Sequence, residues 1–306
     1  MDFEVQSLAV LLEFLPLTII EFVCLYFPLV LGAYCTISLM KVPDLSIESA
    51  YVCGAIIGAR ALVMTSDMPF LIAAVISVFA SMLGGVAVGL TSSLLTDKAK
   101  FPHLLSSILT SGMFHGINQF ILGSSNVSIA MRRNLIGVWD IIKKYPELPI
   151  LVAVTIILVI AGSLFFHTKL GTCLAVYGNN PRMFDYFGIS SRFVFISGVV
   201  ISNGLAGLGG FFDAQSSGFV DVNMGGLKAL FCITSIILGK TIVSTKKPSS
   251  IWIPLCGSFV YFIIIHSLLK VNFNLKYFTM VNSIIVAAIL ILKHHQSRQR
   301  ANQLGV

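Results

Sequence analysis

The sequence predicts an all-α, polytopic membrane protein of about nine transmembrane helices, one of them short or broken, with its N-terminus outside and its C-terminus cytoplasmic. Three observations predict it. Of the 306 residues 56% are apolar and only 11% are charged, against roughly 45–50% and about 25% in ordinary soluble domains, and so few charges cannot cover a soluble surface. Apolar runs recur from residue 16 to residue 293 without a polar block of domain size. Lys and Arg fall in short clusters between those runs, as topology signals do.

About 20 apolar residues cross the hydrocarbon layer as a helix, and backbone polar groups there must be satisfied within the segment. Nine runs meet that description: Pro16–Met40, Ser49–Val63, Pro69–Leu95, Leu104–Leu122, Pro149–Phe166, Phe193–Phe212, Leu227–Val243, Ile251–Leu269 and Tyr277–Leu292. The second is short and its entrance carries Lys41, Pro43, Asp44 and Glu48, which reads as a broken or partly re-entrant helix. Three parts result: residues 1–15 as an extracytoplasmic or interfacial segment, 16–293 as the transmembrane domain, and 294–306 as a cytoplasmic tail.

Orientation follows from the basic tail, Lys293, Arg298 and Arg300 with His294 and His295, placed in the cytoplasm. Lys41, Lys98, Lys100, Lys169, Arg182, Arg192, Lys246 and Lys247 then fall on cytoplasmic connections. The exception is the outer loop Gly123–Glu147, which holds Arg132, Arg133, Lys143 and Lys144. The N-terminal Asp2, Glu4 and Glu13 stand where a secretory signal would carry basic residues, so the segment is expected to remain in the mature chain.

The formal net charge of +7 belongs to these clusters and not to a nucleic-acid surface. The six cysteines (Cys24, Cys35, Cys53, Cys173, Cys232 and Cys256) show no CxxC spacing and read as small core residues. Gly239-Lys240-Thr241 resembles the end of a phosphate-binding loop, but Thr234 stands where the pattern needs glycine, and no strand precedes it. HExxH, GxSxG and paired catalytic carboxylates are absent from the sequence. If ATP drives this protein, another subunit binds it.

Polar residues inside the spans are costly in hydrocarbon and face either a partner helix or an aqueous path. His115, Asn118 and Gln119, at i, i+3 and i+4, share one face of the fourth run. They either line a path or hold helices together by hydrogen bonds. Asp44 and Glu48, four apart, either line the inner mouth of a cavity or sit at the membrane interface near Lys41. The sixth run carries Ser202, Asn203, Gly204, Ala206, Gly207, Gly209 and Gly210, small residues suited to close helix approach.

The longest polar cytoplasmic stretch is His167–Arg192. Asn179 or Asn180 can cap a helix that starts at Pro181 and closes at Gly188, about two turns long. Met183, Phe184 and Phe187 would form its apolar stripe beside Arg182 and Asp185. A helix so short needs a groove to dock into, in a partner subunit or on the protein's own membrane surface.

Four stretches, spread in order over about 180 residues, carry a resemblance: VPDLSIESAYVCGA (Val42–Ala55), ILTSGMFHGINQFILG (Ile108–Gly123), YGNNPRMFDYFGI (Tyr177–Ile189) and SNGLAGLGGFFDAQSSGFVDVNMG (Ser202–Gly225). The chain resembles permease subunits of ATP-binding-cassette importers, in the branched-chain amino acid and ribose permease group. It is most similar there to the uncharacterised and tryptophan/tyrosine-type uptake permeases. The resemblance implies a multi-pass protein of the bacterial plasma (inner) membrane that is itself no enzyme and acts as a permease homodimer in membrane lipid. It implies a cytoplasmic ATPase that binds ATP and Mg2+, with no cofactor in this chain, and an extracytoplasmic binding protein. The segment Tyr177, Gly178, Asn179, Asn180, Pro181, Arg182, Met183, Phe184, Asp185, Phe187, Gly188 becomes the coupling helix that docks into the ATPase. Asp44, Glu48, His115, Asn118, Gln119 and Asn203 become candidates for the path, and Asp221 and Asn223 mark an extracytoplasmic loop.

The sequence departs from that family in its acidic N-terminus, its basic outer loop and its bulky Phe184, Tyr186 and Phe187. Aromatic amino acids are the expected solute by resemblance alone, with branched-chain amino acids, nucleosides and sugars open. A stand-alone proton- or sodium-coupled transporter, with His115 and Glu48 as coupling groups, is the alternative, and a membrane scaffold that transports nothing is a third.

Overall fold

The computed structural model describes residues 2–124, 126–128, 147–186, 188–243 and 249–270 and scattered helical positions between 280 and 291. Side chains are described from Pro16 onward, those of residues 185, 269 and 270 excepted. The basic outer loop, the Lys246–Lys247 connection, nearly all of the ninth expected run and the tail lie outside the described residues.

The first helix, α1 (Asp2–Ala33), contains Pro16 and Pro28 and runs directly into a π-helical stretch, Tyr34–Leu39. There Met40 N donates to Cys35 O at 3.1 Å, five residues back, which widens the helix before Lys41 at φ 56° turns the chain out. The second run is a correction: α2 (Ser46–Met64) is 19 unbroken residues. The polar entrance starts the helix rather than interrupting it, because the Asp44 carboxylate accepts from Ser46 N at 2.9 Å and supplies one of the bonds that a helix start lacks.

Next come α3 (Phe70–Ala99) and α4 (His103–Leu122), the latter opened after Pro102 and closed by Gly123 at φ 76°. A strand, β1 (Asn126–Ser128), leads to α5 (Leu148–His167), with Pro149 in its first turn. The polar stretch that follows holds a helix the sequence reading passed over, α6 (Lys169–Asn179), capped by Thr168 Oγ1, which accepts from Gly171 N. The helix expected from Pro181 to Gly188 is a single turn, α7 (Met183–Tyr186). Then α8 (Ser191–Ser217) ends on Gly218, strand β2 (Phe219–Asp221) follows, and α9 (Lys228–Ile242) and α10 (Trp252–Lys270) complete the described order.

Among the described residues, five helical segments are long and apolar enough to cross a membrane: Pro16–Leu39, Ser46–Met64, Phe70–Ala99, Leu148–His167 and Ser191–Ser217. Large apolar side chains on α3 and α5, among them Leu71, Phe79, Leu83, Ile157 and Leu164, point outward, the arrangement lipid favours and water does not. The fourth run has the length, but its Ser, Thr, His, Asn and Gln lower its hydropathy. The seventh forms a 15-residue helix, about 22 Å at 1.5 Å per residue, short of the roughly 30 Å hydrocarbon layer.

The centre is α2, α3 and α8 packed backbone to backbone. A methyl at Gly54 would overlap the Gly207 backbone, one at Gly85 the Asn203 carbonyl, and one at Gly210 the Tyr51 carbonyl. The small residues of the sixth run therefore serve close packing. The departure from all-α among the described residues is a two-stranded antiparallel sheet, in which Asn126 pairs with Asp221 and Ser128 with Phe219. It ties together the ends of α4 and α8, two connections expected outside. At connections expected inside, Lys41 Nζ donates to Asn179 Oδ1 at 2.7 Å and Arg192 pairs with Asp97.

Candidate translocation site

Among the described residues, three polar clusters lie in or at the edge of the helical core. The first closes the break between α1 and α2. The Asp44 carboxylate accepts from Ser46 N and Ser46 Oγ (2.6 Å) on one oxygen and from Asn203 Nδ2 of α8 (3.0 Å) on the other. His103 Nε2, at the start of α4, stands 3.6 Å from the same carboxylate, while its Nδ1 meets Thr96 Oγ1 at 3.0 Å. Burial works against ionisation of Asp44, but His103 and the two Ser46 donors outweigh it and hold this carboxyl below the usual range. With Asp44 and Asn203 at 1% and 0% exposure, these two residues form a closed knot and border none of the cavity described next.

The second cluster surrounds a cavity of about 190 Å³ between α2, α4 and the turn that follows β2. Glu48, Ser49, Ser111, His115, Asn118 and Asn223 line it with Val52, Val222, Gly225 and Gly226. The turn is built from its own backbone: Asp221 Oδ1 accepts from Asn223 N, Asn223 O from Gly226 N, and Gly225 O from Lys228 N. Leu227, at φ 65°, then launches α9. Gly225 lies against the Glu48 carbonyl, where a side chain would collide, and Glu48 Oε1 accepts from Ala229 N at 3.3 Å. Glu48 thus holds the N-terminal end of α9 against α2, where a carboxylate is favoured by the helix dipole. Across the cavity, Ser49 Oγ and Ser111 Oγ lie 2.9 Å apart. Four of the residues singled out in the sequence, Glu48, His115, Asn118 and Asn223, meet here. Gln119 is exposed and does not line the cavity.

The third cluster was missed in the sequence. Asp213 of α8 accepts from Tyr51 OH (2.5 Å), Tyr26 OH (3.3 Å) and Ser217 Oγ (3.4 Å), and pairs with Lys228 Nζ at 3.3 Å. Lys228 also donates to Tyr26 OH at 3.1 Å and lies over the Tyr26 ring, 4.2 Å from its centre. Phe22, Phe231 and Phe262 pack against the Tyr26 ring, and Tyr261 meets Phe231 edge to face at 4.7 Å. The expected sixth run stopped at Phe212, one residue short of Asp213. Opposite charges flanking one connection between apolar runs are the signal that would have found the pair.

The candidate coupling segment is divided. Tyr177 stacks on buried Phe184 at 6.4 Å, Gly178 lies against the Leu39 carbonyl, and Asn180 ends α6. Phe184 therefore packs onto the protein itself and leaves the expected outward stripe. Pro181, Arg182, Met183, Tyr186, Gly188 and Ile189 are exposed. Phe187 and the Asp185 side chain lie outside the described residues. Among the described residues no group of His, Cys, Asp and Glu is placed to hold a metal ion.

A helical bundle with an apolar exterior, charges paired within its core and a polar cavity between helices defines a multi-pass membrane transport protein. Residues 15–292 match the family described as branched-chain amino acid transport system / permease component, and the chain belongs to that family. It is 32% identical over 264 residues, 85% of each chain, to a tyrosine transport system permease protein of Clostridioides difficile (strain R20291). It is also 31% identical over 227 residues, 74% of this chain and 77% of the other, to an uncharacterised protein of Rickettsia prowazekii (strain Madrid E). No solved structure matches the chain. The resemblance carried by the four stretches is the family found.

Proposed function

We propose that the chain is the transmembrane subunit of an ATP-driven importer in the bacterial plasma (inner) membrane and forms the path for a small amino acid, tyrosine or a close aromatic relative. The observation that carries this reading is the cavity at Glu48, His115, Asn118 and Asn223 in a chain of an amino acid permease family. The name of the 32% identical relative favours tyrosine. An extracytoplasmic binding protein delivers the solute to the end that holds β1 and β2. A separate ATPase hydrolyses ATP at the end that holds α6 and α7, and two copies of this chain complete the membrane unit. Tyr177–Gly188 is the coupling segment, with Arg182, Met183 and Tyr186 as its exposed contact.

The test is reconstitution in proteoliposomes with its partner ATPase and binding protein. Labelled tyrosine should accumulate only when ATP is supplied on the ATPase side, and an ionophore should leave uptake unchanged. Uptake by the chain alone that an ionophore abolishes would establish the ion-coupled alternative and reject the importer.

A further inference from the structure

The cavity between α2, α4 and the 222–226 turn is bordered by one carboxylate, Glu48, and by one buried amide oxygen without a partner among the described residues, that of Asn118. Glu48 already accepts from Ala229 N, so the positive end of α9 is neutralised and offers no site for a further anion, while the carboxylate still borders the cavity. The Ser49 and Ser111 hydroxyls are spent on each other and on the Ser111 carbonyl. Asn118 is 1% exposed and lines the cavity, yet its Oδ1 meets no hydrogen-bond donor among the described residues. A buried amide oxygen is costly when unpaired, and a ligand that supplies the donor recovers that cost. The lining residues include no Lys or Arg, and His115 is the one titratable nitrogen among them.

A carboxylate or phosphate placed here would face the Glu48 carboxylate with no Lys or Arg among the lining residues to offset the repulsion, and a neutral hydroxyl would satisfy Asn118 Oδ1 but bring no positive charge toward Glu48. A primary ammonium group provides both a positive charge and three donors. We infer that this cavity binds the ammonium group of the transported solute, with Glu48 as the countercharge and Asn118 Oδ1 as the acceptor that orients it. The inference rests on the importer reading for the place of the cavity on the path, but binding can be measured without transport.

The experiment uses the full chain in lipid nanodiscs. It is titrated with tyramine, which carries ring and ammonium without carboxylate, and with 3-(4-hydroxyphenyl)propionate, which carries ring and carboxylate without ammonium. Tyramine should raise the melting temperature and the propionate should not. Asn118→Leu and Glu48→Gln should each weaken tyramine at least tenfold. Because Glu48 also holds the start of α9, the unliganded melting temperature reports folding, and Asn118→Leu keeps the test decisive if Glu48→Gln unfolds. Equal binding of both compounds, no binding of tyramine by the wild type, or tyramine affinity retained in Asn118→Leu would each overturn the assignment. A wild-type chain that binds tyramine while its complete assembly takes up no tyrosine keeps the ammonium site and rejects the importer.

Discussion

Removing either partner of the Asp213–Lys228 pair should destabilise the chain, and the two removals should not be equal. Breaking a buried pair by deleting one member costs about 3–5 kcal/mol, since the other charge is left uncompensated. The structure divides that cost unevenly. After Lys228→Met, Asp213 keeps the hydroxyl donors of Tyr51, Tyr26 and Ser217, which are hydrogen bonds to a charged acceptor worth roughly 1.5–3 kcal/mol each. After Asp213→Leu, the Lys228 ammonium retains, among the described residues, the Tyr26 hydroxyl and the faces of Tyr26 and Tyr51, at 4.2 and 4.9 Å. A cation over an aromatic face contributes on the order of 0.5–2 kcal/mol. Asp213→Leu should therefore lose most of the 3–5 kcal/mol, a fall in melting temperature of about 6–10 °C at roughly 2 °C per kcal/mol for a chain of this size. Lys228→Met should lose about half as much, and the double variant should melt above Asp213→Leu alone. The assay is thermal unfolding of full-length protein in one detergent, followed by tryptophan fluorescence. A wild-type melting temperature for Asp213→Leu, or a larger loss for Lys228→Met than for Asp213→Leu, refutes the reasoning.

Three other outcomes follow from the packing and the exposed surfaces. Gly54→Val should drive α2 and α8 apart at Gly207 and cost about 1–3 kcal/mol, whereas Gly112→Ala, where nothing described lies within 4 Å, should melt as the wild type does. Met183→Asp with Tyr186→Asp, both on exposed positions of α7, should leave a membrane-inserted, full-length protein that no longer co-purifies with the ATPase. Co-purification at the wild-type level would reassign the segment to the protein's own membrane surface. A cysteine at exposed Asn223, in a background without the native cysteines, should react with an impermeant thiol reagent in intact cells, and protection there while a cysteine at Lys247 is labelled would reverse the orientation.

Hydropathy revealed where helices lie because a spanning helix satisfies its own backbone, so length and apolarity alone mark it. It failed where a helix begins or ends inside the protein. The polar letters Asp44, Ser46 and Glu48 look like an interruption when read along the chain. In three dimensions Asp44 supports the first turn of α2 and Glu48 that of α9, 181 residues further on. The same blindness hid α6, whose modest apolarity suits a helix outside the span, and the β1–β2 pair, whose partners are separated in the sequence by α5, α6, α7 and α8. For the cavity, the face shared by His115 and Asn118 was legible from helical spacing, whereas its opposite wall depended on a turn folding back onto α2.

Residues that border the cavity are also the residues that assemble it. Glu48 holds α9 to α2, and Gly225 lets the turn approach the Glu48 carbonyl. Lys228, one residue before Ala229, ties that same helix start to α8 through Asp213. A rearrangement of the 222–227 turn therefore cannot leave either the Glu48 contact or the Asp213 pair unaltered. The cavity proposed to hold the solute and the buried ion pair are two contacts of one helix terminus, which is why Asp213 and Lys228, neither of which lines the cavity, should affect uptake as well as stability.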